Sequence, residues 1–109
     1  MLPIATIGDI GEGVCYAGHP DVPKDKPKDM TTTLITGDAT VFVNNLPVAT
    51  LGSIGETDCG HTTTAISAST TVYVGFLPVH RLGDTGVVNE DGEQGSYEMI
   101  TGSGNVFVG

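Results

Sequence analysis

The sequence predicts an all-β fold: a small closed object of short strands and hairpins with approximate three-fold symmetry. Three observations predict it. A Pro-led phrase occurs three times, as Pro3-Ile4-Ala5-Thr6-Ile7-Gly8, Pro47-Val48-Ala49-Thr50-Leu51-Gly52 and Pro78-Val79-His80-Arg81-Leu82-Gly83. A second phrase also occurs three times, as Thr40-Val41-Phe42-Val43, Thr71-Val72-Tyr73-Val74 and Asn105-Val106-Phe107-Val108. The third pair is split between the chain ends, so the repeat closes if Gly109 lies beside Pro3.

Each element has a local reason. The second phrase is short and rich in β-branched and aromatic residues, which favours strand. The Pro phrase is another extended piece; Pro donates no N–H, so it belongs at a strand start or an edge. Between the phrases lie Asn44-Asn45-Leu46 and Gly75-Phe76-Leu77. Asn and Gly tolerate positive φ, so these read as tight hairpin turns. A loop opening with Gly follows each unit: Gly8-Asp9, Gly52-Ser53 and Gly83-Asp84. Thr31 to Thr36 and Ser96 to Thr101 each lead into a second phrase and read as a preceding strand.

The spacing from Pro47 to Pro78 is 31 residues, whereas Pro3 to Pro47 is 44. The longer interval contains an insertion at about residues 20–30, Pro20 to Met30, with three Pro and alternating charge. It reads as an exposed loop. No amphipathic helix is predicted, and the helix formers that a helical repeat of this period needs are missing. Closure of the three units also removes exposed strand edges.

The chain has 109 residues, enough for a single domain spanning 1–109. Its formal net charge is −9, with only four Lys and Arg, which excludes a basic footprint for nucleic acid. An acidic surface favours solubility. No signal peptide is predicted at the N-terminus, and no run approaches the ~20 apolar residues of a membrane helix. Synthesis in the cytoplasm is the expectation.

Five residues have soft or borderline ligand chemistry: Cys15, His19, Cys59, His61 and His80. Cys15 and Cys59 each lie seven residues beyond the repeat's Gly. His61 follows Cys59 by two, which on an extended segment puts both side chains on one side. A structural zinc takes four N or S donors, and a three-fold object brings three loops to one apex. A metal staple there would compensate for a thin core. A Cys–His nucleophile needs an orienting group and a cleft, for which a small thin β object has little room, so no enzyme activity is expected.

These phrases resemble the PAAR-repeat proteins, named for a Pro-Ala-Ala-Arg phrase. The matching phrases begin at Pro3, Pro47 and Pro78, and the flanking Gly-Asp appears as Gly8-Asp9 and Gly83-Asp84. The stretch from Gly37 to Asn45 and the ending Gly102-Ser103-Gly104-Asn105-Val106-Phe107-Val108-Gly109 are similar to the family's other elements. The resemblance spans essentially the whole chain. Only the third phrase keeps Arg, at Arg81.

The resemblance implies a small pseudo-three-fold β cone. It would be a structural tip on the trimeric β-helical spike of a contractile injection machine: a phage tail, a pyocin or a type VI secretion apparatus. One chain would cap one trimer and aid passage through the target cell's outer membrane. The protein would therefore be found on a virion's tail spike or be secreted through the apparatus. An alternative role is an adaptor that carries an effector cargo. The resemblance also implies one structural zinc near the tip, held by three His and one Cys. His19, His61 and His80 are then the natural ligands, with Cys59 as the fourth and Cys15 as its alternative. The spike would meet the strands of the second phrase, including Val41, Phe42, Val43, Val72, Tyr73, Val74, Val106, Phe107 and Val108, with the valines at 41, 43, 72, 74, 106 and 108 as the named contacts. Which alternate residues face outward is left open by the sequence.

Overall fold

The computed structural model describes residues 1–16, 27–89 and 93–109. They form an all-β structure with no helix among them. Its twelve strands are β1 (Leu2–Pro3), β2 (Ile10–Cys15), β3 (Lys28–Leu34), β4 (Phe42–Val43), β5 (Leu46–Pro47), β6 (Ile54–Thr57), β7 (Thr62–Ala65), β8 (Tyr73–Val74), β9 (Leu77–Pro78), β10 (Thr85–Asn89), β11 (Glu93–Met99) and β12 (Phe107–Val108).

The strands fall into two layers: both phrases form short hairpins, and the segments between them form a barrel. The six longer strands close into an antiparallel barrel in the order β10-β11-β2-β3-β6-β7. The six two-residue strands form three hairpins, β4-β5, β8-β9 and β1-β12. The last of these pairs Leu2 with Val108 and Pro3 with Phe107, so the chain ends do meet. The whole measures 39 × 24 × 23 Å.

Each turn is built from the residues that its geometry requires. Asn44 and Asn45 both have positive φ, 53° and 68°, the pattern of a type I′ hairpin turn. In β8-β9 only the first turn residue, Gly75, is positive at 63°, the pattern of type II′. Gly8, Gly52 and Gly83, at φ near 90°, turn the chain from hairpin to barrel. Asp9, Ser53 and Asp84 close these three turns identically, accepting a hydrogen bond from the backbone N–H of Thr6, Thr50 and Arg81. A hydroxyl at Ser53 serves where the other units have a carboxylate.

The symmetry axis is marked by a ring of backbone hydrogen bonds. Ala5 N–H donates to His80 C=O, His80 to Ala49, and Ala49 to Ala5, at 2.9–3.0 Å. Below this ring Ile4, Val48 and Val79 form a small buried cluster. Above it lies the barrel core, which includes Cys15, Met30, Leu34, Val88, Tyr97 and Met99.

Inside the barrel the units differ. Gly11, Gly55 and Gly86 occupy equivalent inward places, opposite Thr32, Thr63 and Tyr97 respectively. Thr32 and Thr63 hydrogen-bond to each other at 2.8 Å. Tyr97 fills the space left by two glycines: a Cβ on Gly86 would sit 2.1 Å from its ring, and one on Gly11 2.4 Å.

The expected insertion loop is shorter than the sequence implied at its C-terminal end. Lys28, Asp29 and Met30 belong to β3, and Met30 is buried in the core. Their pairing with β2 satisfies backbone groups that a loop would leave to water. Residues 17–26 lie outside the described residues.

Candidate metal centre and hairpin face

Three of the expected ligand residues converge at the end of the barrel farthest along β2 and β6 from the Pro phrases. One ligand atom from each of Cys15, Cys59 and His61 lies within 4.8 Å of the other two. Cys15 ends β2 and is fully buried. Cys59 sits in the three-residue turn Asp58-Cys59-Gly60, and His61 immediately precedes β7. Gly60 adopts φ of 90°, which lets this short loop return the chain to the ladder.

The turn is anchored on both sides. The Thr57 hydroxyl accepts from His61 N–H at 2.8 Å and donates to His61 C=O at 3.1 Å. The same hydroxyl lies 3.2 Å from Cys59 Sγ. Asp58 N–H donates to Thr31 C=O at 3.0 Å, and Thr31 N–H donates to Asp58 Oδ1 at 3.2 Å. These bonds tie the turn that carries Cys59 to β3. The His61 Nε2 atom is shielded from solvent. The two cysteines are not joined by a disulfide.

Two thiols and an imidazole are donors that suit zinc and other thiophilic ions, not hard cations, which prefer oxygen. This donor set fits a metal ion. Both cysteines take part, where the resemblance implied one with the other as its substitute.

His80 is placed elsewhere, and this corrects the expected ligand set. Its imidazole is fully buried at the axis ring, where the other units carry Ala5 and Ala49. Both ring nitrogens have protein partners: Nδ1 is 2.7 Å from Ser67 C=O and Nε2 is 3.0 Å from Tyr97 Oη. Burial holds the His80 pKa below its usual value, partly countered by the Ser67 hydrogen bond and the Asp84 charge. Burial likewise raises the Tyr97 pKa. His19 lies outside the described residues.

No protein-family model and no curated protein matches this chain.

The hairpin face is a second candidate site. Of the valines expected to meet a partner, Val43, Val72, Val74, Val106 and Val108 turn inward and pack against Ile4, Val48 and Val79. Only Val41 among the six is exposed. The intervening residues point outward instead: Phe42 is 54 % exposed, Tyr73 56 % and Phe107 45 %. Leu46, Leu77 and Leu2, which pair with Val43, Val74 and Val108 across each hairpin, are exposed as well. Along each second phrase, successive side chains take opposite faces, which separates Phe42 from Val43, Tyr73 from Val74 and Phe107 from Val108.

Sequence reasoning missed Tyr97 as an interior residue. The available signal was its register against the threonine strands: Tyr97 stands where the other units have Thr32 and Thr63.

Proposed function

We propose that this chain is a structural tip that caps the trimeric β-helical spike of a contractile injection machine, a phage tail, a pyocin or a type VI secretion apparatus. The observation that carries the reading is the three-fold repetition of the hairpin face. Phe42, Tyr73 and Phe107 stand at equivalent places, so one chain offers three similar apolar surfaces, one for each subunit of a trimer. Three contacts made by one rigid body reinforce one another through effective concentration.

The load-resisting features agree with such a role. A closed barrel presents no strand edge to peel. A zinc ion at its far end would tie β2 to the β6–β7 turn, and its binding free energy would become folding free energy. Cys15, Cys59 and His61 would supply three of the four donors of a structural zinc. The resemblance offers His19, four residues after Cys15 and outside the described residues, as the candidate for the fourth. Each cysteine then has a histidine close behind it. The zinc would serve as a cross-link, with no enzyme activity attached to it.

The test is stoichiometry. The purified chain is mixed with the trimeric spike protein of its own machine, and the complex is weighed by native mass spectrometry. One chain per trimer is expected. Three chains per trimer, or no complex, rejects the reading.

A further inference from the structure

A further phrase recurs where β3, β7 and β11 lead out of the barrel: Leu34-Ile35-Thr36-Gly37, Ala65-Ile66-Ser67-Ala68 and Met99-Ile100-Thr101-Gly102. Its first residue is buried in every copy, and its isoleucine is exposed in every copy, at 42 %, 51 % and 49 %. The backbone on both sides of that isoleucine is locked. Ile35, Ile66 and Ile100 N–H donate to Ile54, Thr85 and Ile10 C=O at 2.8–3.0 Å. The N–H groups of the same three partners donate to the hydroxyls of Thr36, Ser67 and Thr101, each at 2.8 Å. One exposed isoleucine needs no explanation. Three at equivalent places on a fixed backbone form a preorganised surface.

This surface is continuous with the hairpin face. Ile7, Leu51 and Leu82 N–H donate to Pro47, Pro78 and Pro3 C=O. Those prolines directly follow the exposed Leu46, Leu77 and Leu2. The next N–H in each unit, that of Gly8, Gly52 or Gly83, donates to Leu34, Ala65 or Met99 C=O, immediately before the exposed isoleucine. Each unit thus carries an apolar rib from hairpin to barrel: Leu46–Ile7–Ile35, Leu77–Leu51–Ile66 and Leu2–Leu82–Ile100. A groove of about 310 Å³ beside the second rib is lined by Leu77, Leu51, Gly52, Thr36 and Gly37. It leads from the hairpin face to the neighbourhood of Ile35. The ribs are also uncharged. Although the net charge is −9, residues 1–8, 34–37, 39–52, 65–80 and 99–109 contain no Lys, Arg, Asp or Glu, and they hold every rib residue except Leu82.

We propose that the three ribs are a second contact surface for the spike trimer. Each subunit sends an uncharged, apolar segment past the rim of the hairpin face to cover one rib, so the trimer grips the sides of the cap as well as its base. The occupant follows from continuity and number. Whatever covers Leu46, Leu77 and Leu2 meets the ribs at the rim, and three like ribs match three like subunits. The inference rests on the tip reading above and adds a lateral grip to it. Such a grip opposes tilting of the cap, which contact on one flat face does not.

The experiment separates the sides from the base. Wild type and the triple variant Ile35→Ser, Ile66→Ser, Ile100→Ser are titrated against the immobilised spike trimer of the same machine by biolayer interferometry. The variant is expected to bind at least about ten-fold more weakly, chiefly through faster dissociation. In a second measurement a photo-reactive benzoylphenylalanine replaces Ile66, the most exposed of the three. It is expected to crosslink to a spike subunit. The crosslink alone decides if the triple variant does not fold. Equal affinity of a folded triple variant overturns the inference and leaves the tip reading standing. So does a crosslink to a second copy of this chain, or to nothing, while the trimer still binds. A wild-type chain that does not bind the trimer overturns the tip reading itself.

Discussion

The buried pair His80–Tyr97 gives the sharpest stability prediction. Ser67 C=O can only accept, so Nδ1 of the neutral imidazole carries the proton and donates to it at 2.7 Å. Nε2 then holds the lone pair and accepts from the Tyr97 hydroxyl at 3.0 Å. Tyr97→Phe keeps the ring in its slot over Gly11 and Gly86 and removes only the donor. It leaves a buried acceptor unsatisfied, which costs about 1–3 kcal/mol. For a domain of this size that is a Tm drop of about 4–8 °C per kcal/mol. Denaturant titration of Tyr97→Phe, His80→Ala and the double variant should give a coupling of roughly 0.5–3 kcal/mol.

The same pair predicts a pH dependence. The folded state resists the proton that an unfolded histidine takes up near its ordinary value of 6.5, because burial lowers the His80 pKa. Ser67 C=O and Asp84 oppose that shift, and Arg81 adds to it. The unfolded chain therefore binds more protons below that pH. The His80 contribution is present in full above it and is lost as pH falls, with a slope of at most about 1.4 kcal/mol per pH unit. The stability difference between wild type and His80→Ala isolates the effect from the carboxylates and should shrink as the pH is lowered. Tyr97→Phe within about 0.5 kcal/mol of wild type, or a His80→Ala difference that grows on acidification, would refute the reasoning.

Four further outcomes are expected. Gly86→Ala should lose several kcal/mol, on the order of the largest core substitutions, because its Cβ meets both the Tyr97 ring at 2.1 Å and the unyielding Thr64 C=O at 2.6 Å; urea midpoints near wild type would contradict this. Arg81→Leu removes the bonds to Asp84, Ala68 C=O and Gly109 C=O. It should cost about 1–3 kcal/mol and speed hydrogen exchange in β12. Elemental analysis should find one zinc per chain, and a chelator should lower the Tm of wild type but not of Cys59→Ser; a metal-free chain of equal stability sinks the cross-link. Replacing Phe42, Tyr73 and Phe107 together by Ser should leave the Tm within a few degrees yet abolish capture by the spike trimer, and retained capture removes the hairpin face from the interface.

The fold was legible because its symmetry is written in short phrases with fixed turn chemistry. Gly8, Gly52 and Gly83 announce positive φ, and Asp9, Ser53 and Asp84 announce the side-chain acceptor beside it. The metal centre was legible in part. Cys59 and His61 are close in sequence and bracket one tight turn. Cys15 reaches them only through the β2-β3-β6 register, a long-range relation that spacing does not encode. His80 counts as a ligand only by the resemblance, which implies three histidines and one cysteine. Its burial among Ser67 and Tyr97 depends on an axial position that composition does not reveal. A two-residue strand has no alternation long enough to fix which face its valines take; packing on Ile4, Val48 and Val79 turns Val43, Val72, Val74, Val106 and Val108 inward.

The two ends of the molecule answer different demands. At the hairpins all three units can be alike, because each meets its own surroundings and the axis is closed by backbone groups alone, the ring through Ala5, Ala49 and His80. Inside the barrel the three equivalent positions hold unlike side chains. Two threonines satisfy each other there, and a third unit must supply bulk, which is Tyr97 in the space left by Gly11 and Gly86. A buried hydroxyl then needs an acceptor, and the axial position below provides it only if it departs from alanine. His80 is thus a consequence of Tyr97, and both follow from the need to fill a small symmetric barrel with unequal parts. The cluster at the far end obeys the same logic. Two units contribute Cys15, Cys59 and His61, and the third places no Cys or His among the described residues of β10 and β11. Symmetry thus governs the hairpin face, and its breaking governs the interior and the Cys15–Cys59–His61 cluster.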